Sequence, residues 1–246
     1  MNTIAERKSR FGVITILEGK IKGSVVYRQG DFFQSEADGN GVSLVSYIHA
    51  IYGLLEQTQS RKILMIGCGG GTLATMLCRN GREVTVVDID AQAFLLARKY
   101  FGLPKSAVCR VADGCEFLLS EPSVYDAIVL DAFLGDEIPA QLQTSAFFRL
   151  AHTHLSRRGC VLANVHVKDD LDEVPDRMAA RMATIWPDVR ILDAQGSTDR
   201  NAIVLAGDIL RVENPVLHVA PQISADELDA ELRAMNFRDW RRADVA

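Results

Sequence analysis

Gly67, Cys68, Gly69, Gly70 and Gly71 follow directly on the apolar run 63–66, and a second apolar run, 84–87, ends on Asp88. A strand that breaks into a glycine loop lets backbone amides approach a ligand closely. A carboxylate roughly 20 residues further on is where a ribose would be held. The loop reads G-x-G-x-G. The dinucleotide form G-x-G-x-x-G needs a glycine at 72, where Thr72 stands, and the shifted match Gly69, Gly71, Ala74 begins deeper in the loop. This spacing points to a nucleoside site of the S-adenosylmethionine type.

Three more polar residues close apolar runs: Asp113, Asp131 and Asn164. In an open parallel sheet, ligands bind beyond the carboxyl ends of the strands, so each is a candidate with a structural alternative. Asp88 either holds a ribose or caps the helix after it, and Asp90 is the better cap. Asp113 either bonds an adenine amino group or caps the next helix. Asp131 ends the very apolar run 127–130 and either faces the reactive carbon of the donor or braces the loop 132–139. Asp136 and Glu137 in that loop contact substrate or are solvated. Cys68 and Cys115 are small fillers beside the ligand, with no histidine near in sequence to activate them. His152 and His154 lie two apart on one helix and face different ways, so no metal site is expected. His49 and His166 are within reach of the cleft, but a structural role is favoured for both.

These residues need a scaffold. From residue 63 apolar strand runs (63–66, 84–88, 108–111, 126–131, 160–165) alternate with helical spacing (72–80, 91–101, 114–119, 144–157). That alternation implies right-handed crossovers and a parallel sheet covered on both faces. A helix over 172–185 is followed by runs 189–192 and 202–206 with only a loop between them, which predicts an antiparallel pair at the sheet edge. Ser224 to Glu227 reads as a capping box opening a last helix to about residue 235. Before the main alternation come short strands over 11–17 and 23–28 and a helix over 44–56. The expected architecture is therefore α/β: a Rossmann-like, doubly wound, mostly parallel sheet over 61–246, with antiparallel C-terminal edge strands and a small N-terminal β segment and helix over 1–60.

Composition narrows the partners. The chain has 246 residues, 48% of them hydrophobic, enough for a sizeable core. A net charge of -5 lacks the basic excess of a nucleic-acid binder. The five cysteines are odd in number and show no C-x-x-C spacing, which suits reduced thiols. Without an apolar leader or an 18-residue apolar run, neither a membrane nor a nucleic acid is an expected partner, and the cytoplasm is the expected location.

The chain from about 61 to 165 resembles the polyamine aminopropyltransferases, spermidine synthase and its bacterial relatives. The resemblance is carried by Ile66 to Gly71, Val87-Asp-Ile-Asp90, Arg98-Lys-Tyr-Phe101, Asp113-Gly114, Tyr125 to Asp131, Pro139-Ala140 and Thr144 to Phe148. The Tyr100-Phe101 pair and the loop reaching Pro139-Ala140 are not general to methyltransferases. The strands leading to Gln34 are similar to that family's small β domain. The resemblance implies transfer of an aminopropyl group from decarboxylated S-adenosylmethionine to a small-molecule amine, a polyamine, within a homodimer. It implies donor contacts from Gly67, Cys68, Gly69, Gly71, Asp88, Ile89, Asp113, Gly114 and Gln34, a base at Asp131, and acceptor contacts from Asp131, Asp136, Tyr47 and His49. Leu134 stands where the family loop carries a second aspartate, with Asp136 the candidate substitute. The alternatives are a small-molecule methyltransferase using S-adenosylmethionine, with Arg28 or Gln34 meeting the donor carboxylate, and a nucleoside-binding homologue without catalysis.

Overall fold

The computed structural model describes residues 1–240. Four strands open the chain, β1 (Thr3–Ser9), β2 (Gly12–Glu18), β3 (Val25–Gln29) and β4 (Phe32–Ala37), paired in chain order as an antiparallel meander. β1 is mostly polar and exposed and is a strand through its backbone pairing with β2. Helix α1 (Ser46–Gln57) leads into the alternating part: β5 (Lys62–Ile66), α2 (Thr72–Arg79), β6 (Glu83–Asp88), α3 (Ala91–Tyr100), β7 (Val108–Val111), α4 (Gly114–Ser120), β8 (Tyr125–Leu130), α5 (Ser145–Thr153) and β9 (Leu155–Val167). The chain then runs through α6 (Val174–Met182), β10 (Val189–Asp193), β11 (Arg200–Gly207), α7 (Ala225–Ala234) and β12 (Asn236–Arg238).

The large sheet has the order β12-β10-β11-β9-β8-β5-β6-β7. β7, β6, β5, β8 and β9 run parallel to one another, while β11 and β10 form the antiparallel pair the sequence predicts and β12 adds a further antiparallel strand at the far edge. Side chains alternate between faces. Ile63 and Met65 of β5 join Val84, Val86, Ala127 and Val129 in the core under α1, α2 and α3. Leu64 and Ile66 join Val87, Ile128 and Leu130 in the core under α4, α5 and α6. α1 belongs to the first of these, burying Ile48, Ile51 and Leu55 there. The small sheet has its own cluster, in which Ile14, Ile16, Tyr27 and Ala37 pack on Leu96 of α3 and on Phe101 just beyond it.

Several expectations are corrected. The helix expected over 144–157 stops at Thr153, because residues from Leu155 are drawn into β9, where Leu155 pairs with Tyr125 of β8. The helix over 172–185 is shorter, starting at Val174 next to Pro175, with the Asp172 carboxylate capping the Val174 amide at 3.0 Å. α7 begins at Ala225 as expected, but the capping box does not form: Ser224 is left-handed, φ 57°, and its side chain makes no cap bond. Strands β1, β4 and β12 lacked a hydrophobic alternation to announce them.

β12 is held by charge. Asp193 at the end of β10 is buried and accepts from Arg200 Nε at 2.7 Å and from Arg238 Nε at 3.3 Å. Arg238 also grips both oxygens of Asp176 in α6, each at 2.9 Å. Removing the shared carboxylate takes one of two acidic partners from each guanidinium, Arg238 keeping Asp176 and Arg200 keeping Asp170 at 2.9 Å, so the lost charged hydrogen bonds should cost about 1.5–3 kcal/mol. Asp193→Leu is therefore expected to lower the urea midpoint by that much stability with an unchanged m value, and a midpoint within experimental error of wild type would refute the assignment.

Candidate active site

A cleft opens beyond the carboxyl ends of β5, β6, β7 and β8, roofed by the small sheet and by the loop 132–139. Its floor is the glycine loop. Gly67 leaves β5 at φ +102°, donating its amide to Val87 O at 2.8 Å, and a side chain there would lie 2.0 Å from the carbonyl oxygen of Asp131. The Gly70 amide is held from the small sheet by Ser35 Oγ at 2.9 Å. Gly71, also left-handed at φ +67°, is the N-cap of α2. The loop thus turns sharply enough to bring Gly67, Cys68 and Gly69 into the cleft wall.

Asp88 reaches across from β6. One oxygen accepts from the Cys68 amide at 2.8 Å and the other from the Asp90 amide at 2.7 Å. Burial pushes its carboxyl up to about 6, against the lowering effect of those two amides, with the neighbouring charge of Asp90 adding to the rise. Asp90 is the cap of α3, accepting from Gln92 N at 2.9 Å. Asp113 caps α4 through one oxygen, and the other receives Gln141 Nε2 at 3.2 Å. Ile89 and Gly114 line the cleft beside these acids.

Asp131 lies at the inner end. Asn164 Nδ2 donates to its Oδ1 at 2.8 Å, and the Tyr47 hydroxyl stands 3.5 Å from Oδ1 and 3.4 Å from Oδ2. Burial raises the Asp131 carboxyl above the ordinary range, while the bonds from Asn164 and Tyr47 work the other way. Burial also lifts the Tyr47 phenol, with the Asp131 charge adding to it. The Cys68 thiol is driven well above its usual value by burial first and Asp88 second, which suits a filler rather than a nucleophile.

Two expected acceptor residues are elsewhere. His49 is buried on the core side of α1, its Nε2 2.7 Å from Ser43 O, and it does not line the cleft. Asp136 is exposed at the tip of the 132–139 loop and faces a second, neighbouring cavity with Glu137, His166 and Asp169; Phe133 lines both cavities. His166 pairs there with Asp199 at 2.8 Å. Gln34 does line the cleft, with Phe11, Tyr27 and Gln29 of the small sheet, which sequence reasoning missed. Tyr27 and Gln29 stand two apart on β3 and so share one face, a signal visible only once that face is known to look inward. Asn164 was noted as a strand end, but its partner Asn201, donating to Asn164 Oδ1 at 2.9 Å, was not.

The charge of the cleft is one-sided. Asp88, Asp90, Asp113 and Asp131 line it, and its described lining includes no lysine, arginine or histidine. Among the described residues no cluster of three histidine, cysteine or acidic side chains is arranged to hold a metal ion, and no helix is long and apolar enough to cross a membrane.

Comparison with known proteins agrees with this layout. The family model "Methyltransferase domain" matches residues 63–159. A probable polyamine aminopropyl transferase of Bifidobacterium longum is 24% identical over 188 residues, 74% of this chain and 42% of that protein. A polyamine aminopropyltransferase of Vibrio vulnificus is 34% identical over 119 residues, 46% of this chain and 40% of that protein. The chain therefore spans less than half the length of these two relatives. The crystal structure of a probable spermidine synthase from Corynebacterium glutamicum superposes with a TM-score of 0.76 at 20% identity, covering 98% of this chain and 97% of the other. The chain has the class I S-adenosylmethionine-dependent methyltransferase fold, and the proteins it is similar to include polyamine aminopropyltransferases and an N-terminal histidine N-methyltransferase of Emericella nidulans, 26% identical over 185 residues, 65% of this chain and 33% of that protein.

Proposed function

We propose that this protein is an aminopropyltransferase that moves an aminopropyl group from decarboxylated S-adenosylmethionine to an amine of the polyamine class. The observation that carries the reading is the cleft's charge: four carboxylates and no cationic side chain among its described lining residues. Decarboxylated S-adenosylmethionine carries a sulfonium and an ammonium and no carboxylate, so every charge on it is attracted. The intact donor adds a carboxylate, and each ionised aspartate about 6 Å from it would cost roughly 3 kcal/mol at an effective dielectric of about 20. A protonated amine acceptor suits the same field.

In this reading the close backbone of Gly67, Cys68 and Gly69 and the Asp88 carboxylate hold the nucleoside, with Asp113, Gly114, Ile89 and Gln34 completing its walls. The acceptor nitrogen must lose a proton before its lone pair attacks the carbon beside the sulfonium; the C–N bond forms as the C–S bond breaks, and methylthioadenosine leaves. Asp131 is the proton acceptor, and its raised carboxyl is matched to that task. Tyr47 steadies the same carboxylate. Holding donor and acceptor in line supplies much of the remaining acceleration.

Methyl transfer is the second reading, favoured by the methyltransferase-domain match. It would leave the amides of Gln29, Gln34 and Gln141 to receive the donor carboxylate. Calorimetric titration with intact S-adenosylmethionine, its decarboxylated form and methylthioadenosine separates the two. Tighter binding of the decarboxylated donor is expected, and preference for the intact one sinks the aminopropyl reading. Asp131→Asn is expected to lower kcat on the order of 100-fold to 10,000-fold while donor affinity stays within about threefold; unchanged turnover would remove Asp131 as the base.

The pH dependence of binding follows from Asp88. Its carboxyl is raised to about 6, so it is ionised and accepts the ribose hydroxyls above that pH and loses the charge below it. Donor affinity should fall about tenfold between pH 7 and pH 5, with the fall absent in Asp88→Asn. A flat profile in the wild type counts against the ribose role.

A further inference from the structure

Beyond the base itself, we propose that Asn201 and Asn164 form a positioning pair that fixes which oxygen of Asp131 accepts the proton, Asn201 setting the direction of the Asn164 amide. The inference rests on the reading of Asp131 as the base.

Asn164 stands in one of the most apolar stretches of the chain, with Val161, Leu162, Ala163 and Val165 buried around it, and is itself 1% exposed. A buried amide is costly unless its donors and acceptor are satisfied. Both are: Nδ2 gives to Asp131 Oδ1 at 2.8 Å, and Oδ1 receives from Asn201 Nδ2 at 2.9 Å. The delivery of Asn201 is topological. β11 lies antiparallel to β9 with Ile203 opposite Asn164, so Asn201, two residues along, is its diagonal neighbour on the same face.

The direction of the chain of bonds matters. An ionised carboxylate only accepts, whereas a protonated one also donates. An amide facing Asp131 alone would be free to turn over when the carboxylate gains a proton, presenting its oxygen to the new O–H. Asn201 removes that freedom, because its own N–H group needs the Asn164 oxygen. Asn164 therefore keeps donating to Asp131 Oδ1 in both protonation states, and the incoming proton is directed to Oδ2. The other groups facing Asp131 are the Tyr47 phenol from α1 and the Cys68 thiol from the glycine loop, both raised by burial and neutral across the range in which the carboxylate titrates.

The test follows the carboxyl carbon of Asp131 by NMR in protein labelled at aspartate, assigned by its loss in Asp131→Asn, alongside the pH profile of turnover with decarboxylated S-adenosylmethionine and a diamine. Asn164→Leu and Asn201→Leu are both uncharged changes, so neither adds a field of its own. Asn164→Leu should raise the Asp131 titration by at least one pH unit, and Asn201→Leu should raise it by a smaller amount in the same direction. The acid limb of kcat should move with each, so that Asn201→Leu loses activity several-fold at pH 6 and recovers near pH 9, with donor KM within twofold. A loss equal at all pH values, or an Asp131 titration unmoved in Asn201→Leu while Asn164→Leu shifts it, overturns the role of Asn201. Should Asn164→Leu unfold, as circular dichroism would show, Asn164→Ala and the Asn201 variant carry the same comparison. Absence of any turnover in the wild type overturns the aminopropyl reading instead, and the carboxyl titration still decides the pair.

Discussion

Three pieces of the molecule converge on the glycine loop and leave Gly67, Gly69 and Gly70 no room for side chains. The backbone of Asp131 crosses so close to Gly67 that a methyl group there would sit 2.0 Å from a carbonyl oxygen. From the small sheet, Ser35 presses on Gly69 and Gly70, and the Phe101 ring closes the third side, 3.0 Å from where a side chain on Gly70 would begin. Because the loop is clamped by β8, by β4 and by the residue after α3, its amides are held in place before any ligand arrives. The distance between the glycine loop and the Asp131 backbone is then set by backbone contact rather than by flexible side chains. Preorganisation of this kind is what placement of a nucleophile in line demands.

The same closeness concentrates charge. Asp88 and Asp113 follow the adjacent strands β6 and β7, and Asp131 follows β8 on the other side of β5, so the carboxylates share one cleft without a basic side chain among its described lining residues. Burial lifts Asp88 and Asp131 above the normal carboxylate range. Groups shifted by desolvation in a cleft are what a binding or catalytic site looks like electrostatically. The field has one sign only, and that selects ligands by charge before shape is considered.

Much of this was legible in the residues. Continuous apolar runs and helical spacing located β5 to β8 and their helices, since buried strands and two-faced helices leave a strong pattern in the chain. The glycine spacing and the carboxylate at the end of each run pointed to residues that line one cleft. What escaped notice had no such pattern. β1 is mostly exposed and polar, β12 is three residues held by an ion network, and the end of α5 is decided by Leu155 pairing with β8. The outer wall of the cleft escaped for another reason: Phe11, Tyr27 and Gln29 look like ordinary strand residues until the small sheet is seen to dock on α3. His49 and Asp136 were nominated from their places in the chain, and the structure turns one into the core and the other toward a neighbouring cavity. Asn201 was invisible because only an antiparallel register brings it beside Asn164.

The Tyr27–Phe101 contact, rings 6.3 Å apart, is the hinge pin of an arrangement with a wider meaning. The inner half of the cleft is made by strand ends whose positions the whole large sheet dictates. The outer half is made by a four-stranded meander with its own small core, which packs on Leu96 and Phe101 and reaches the glycine loop through Ser35. Substitutions at Gln29 and Gln34, which face the cleft, can therefore reshape the ligand-facing roof while Ser35 keeps its hold on the glycine loop. Divergence in ligand preference among proteins built this way has an inexpensive route: replace the roof and keep the floor.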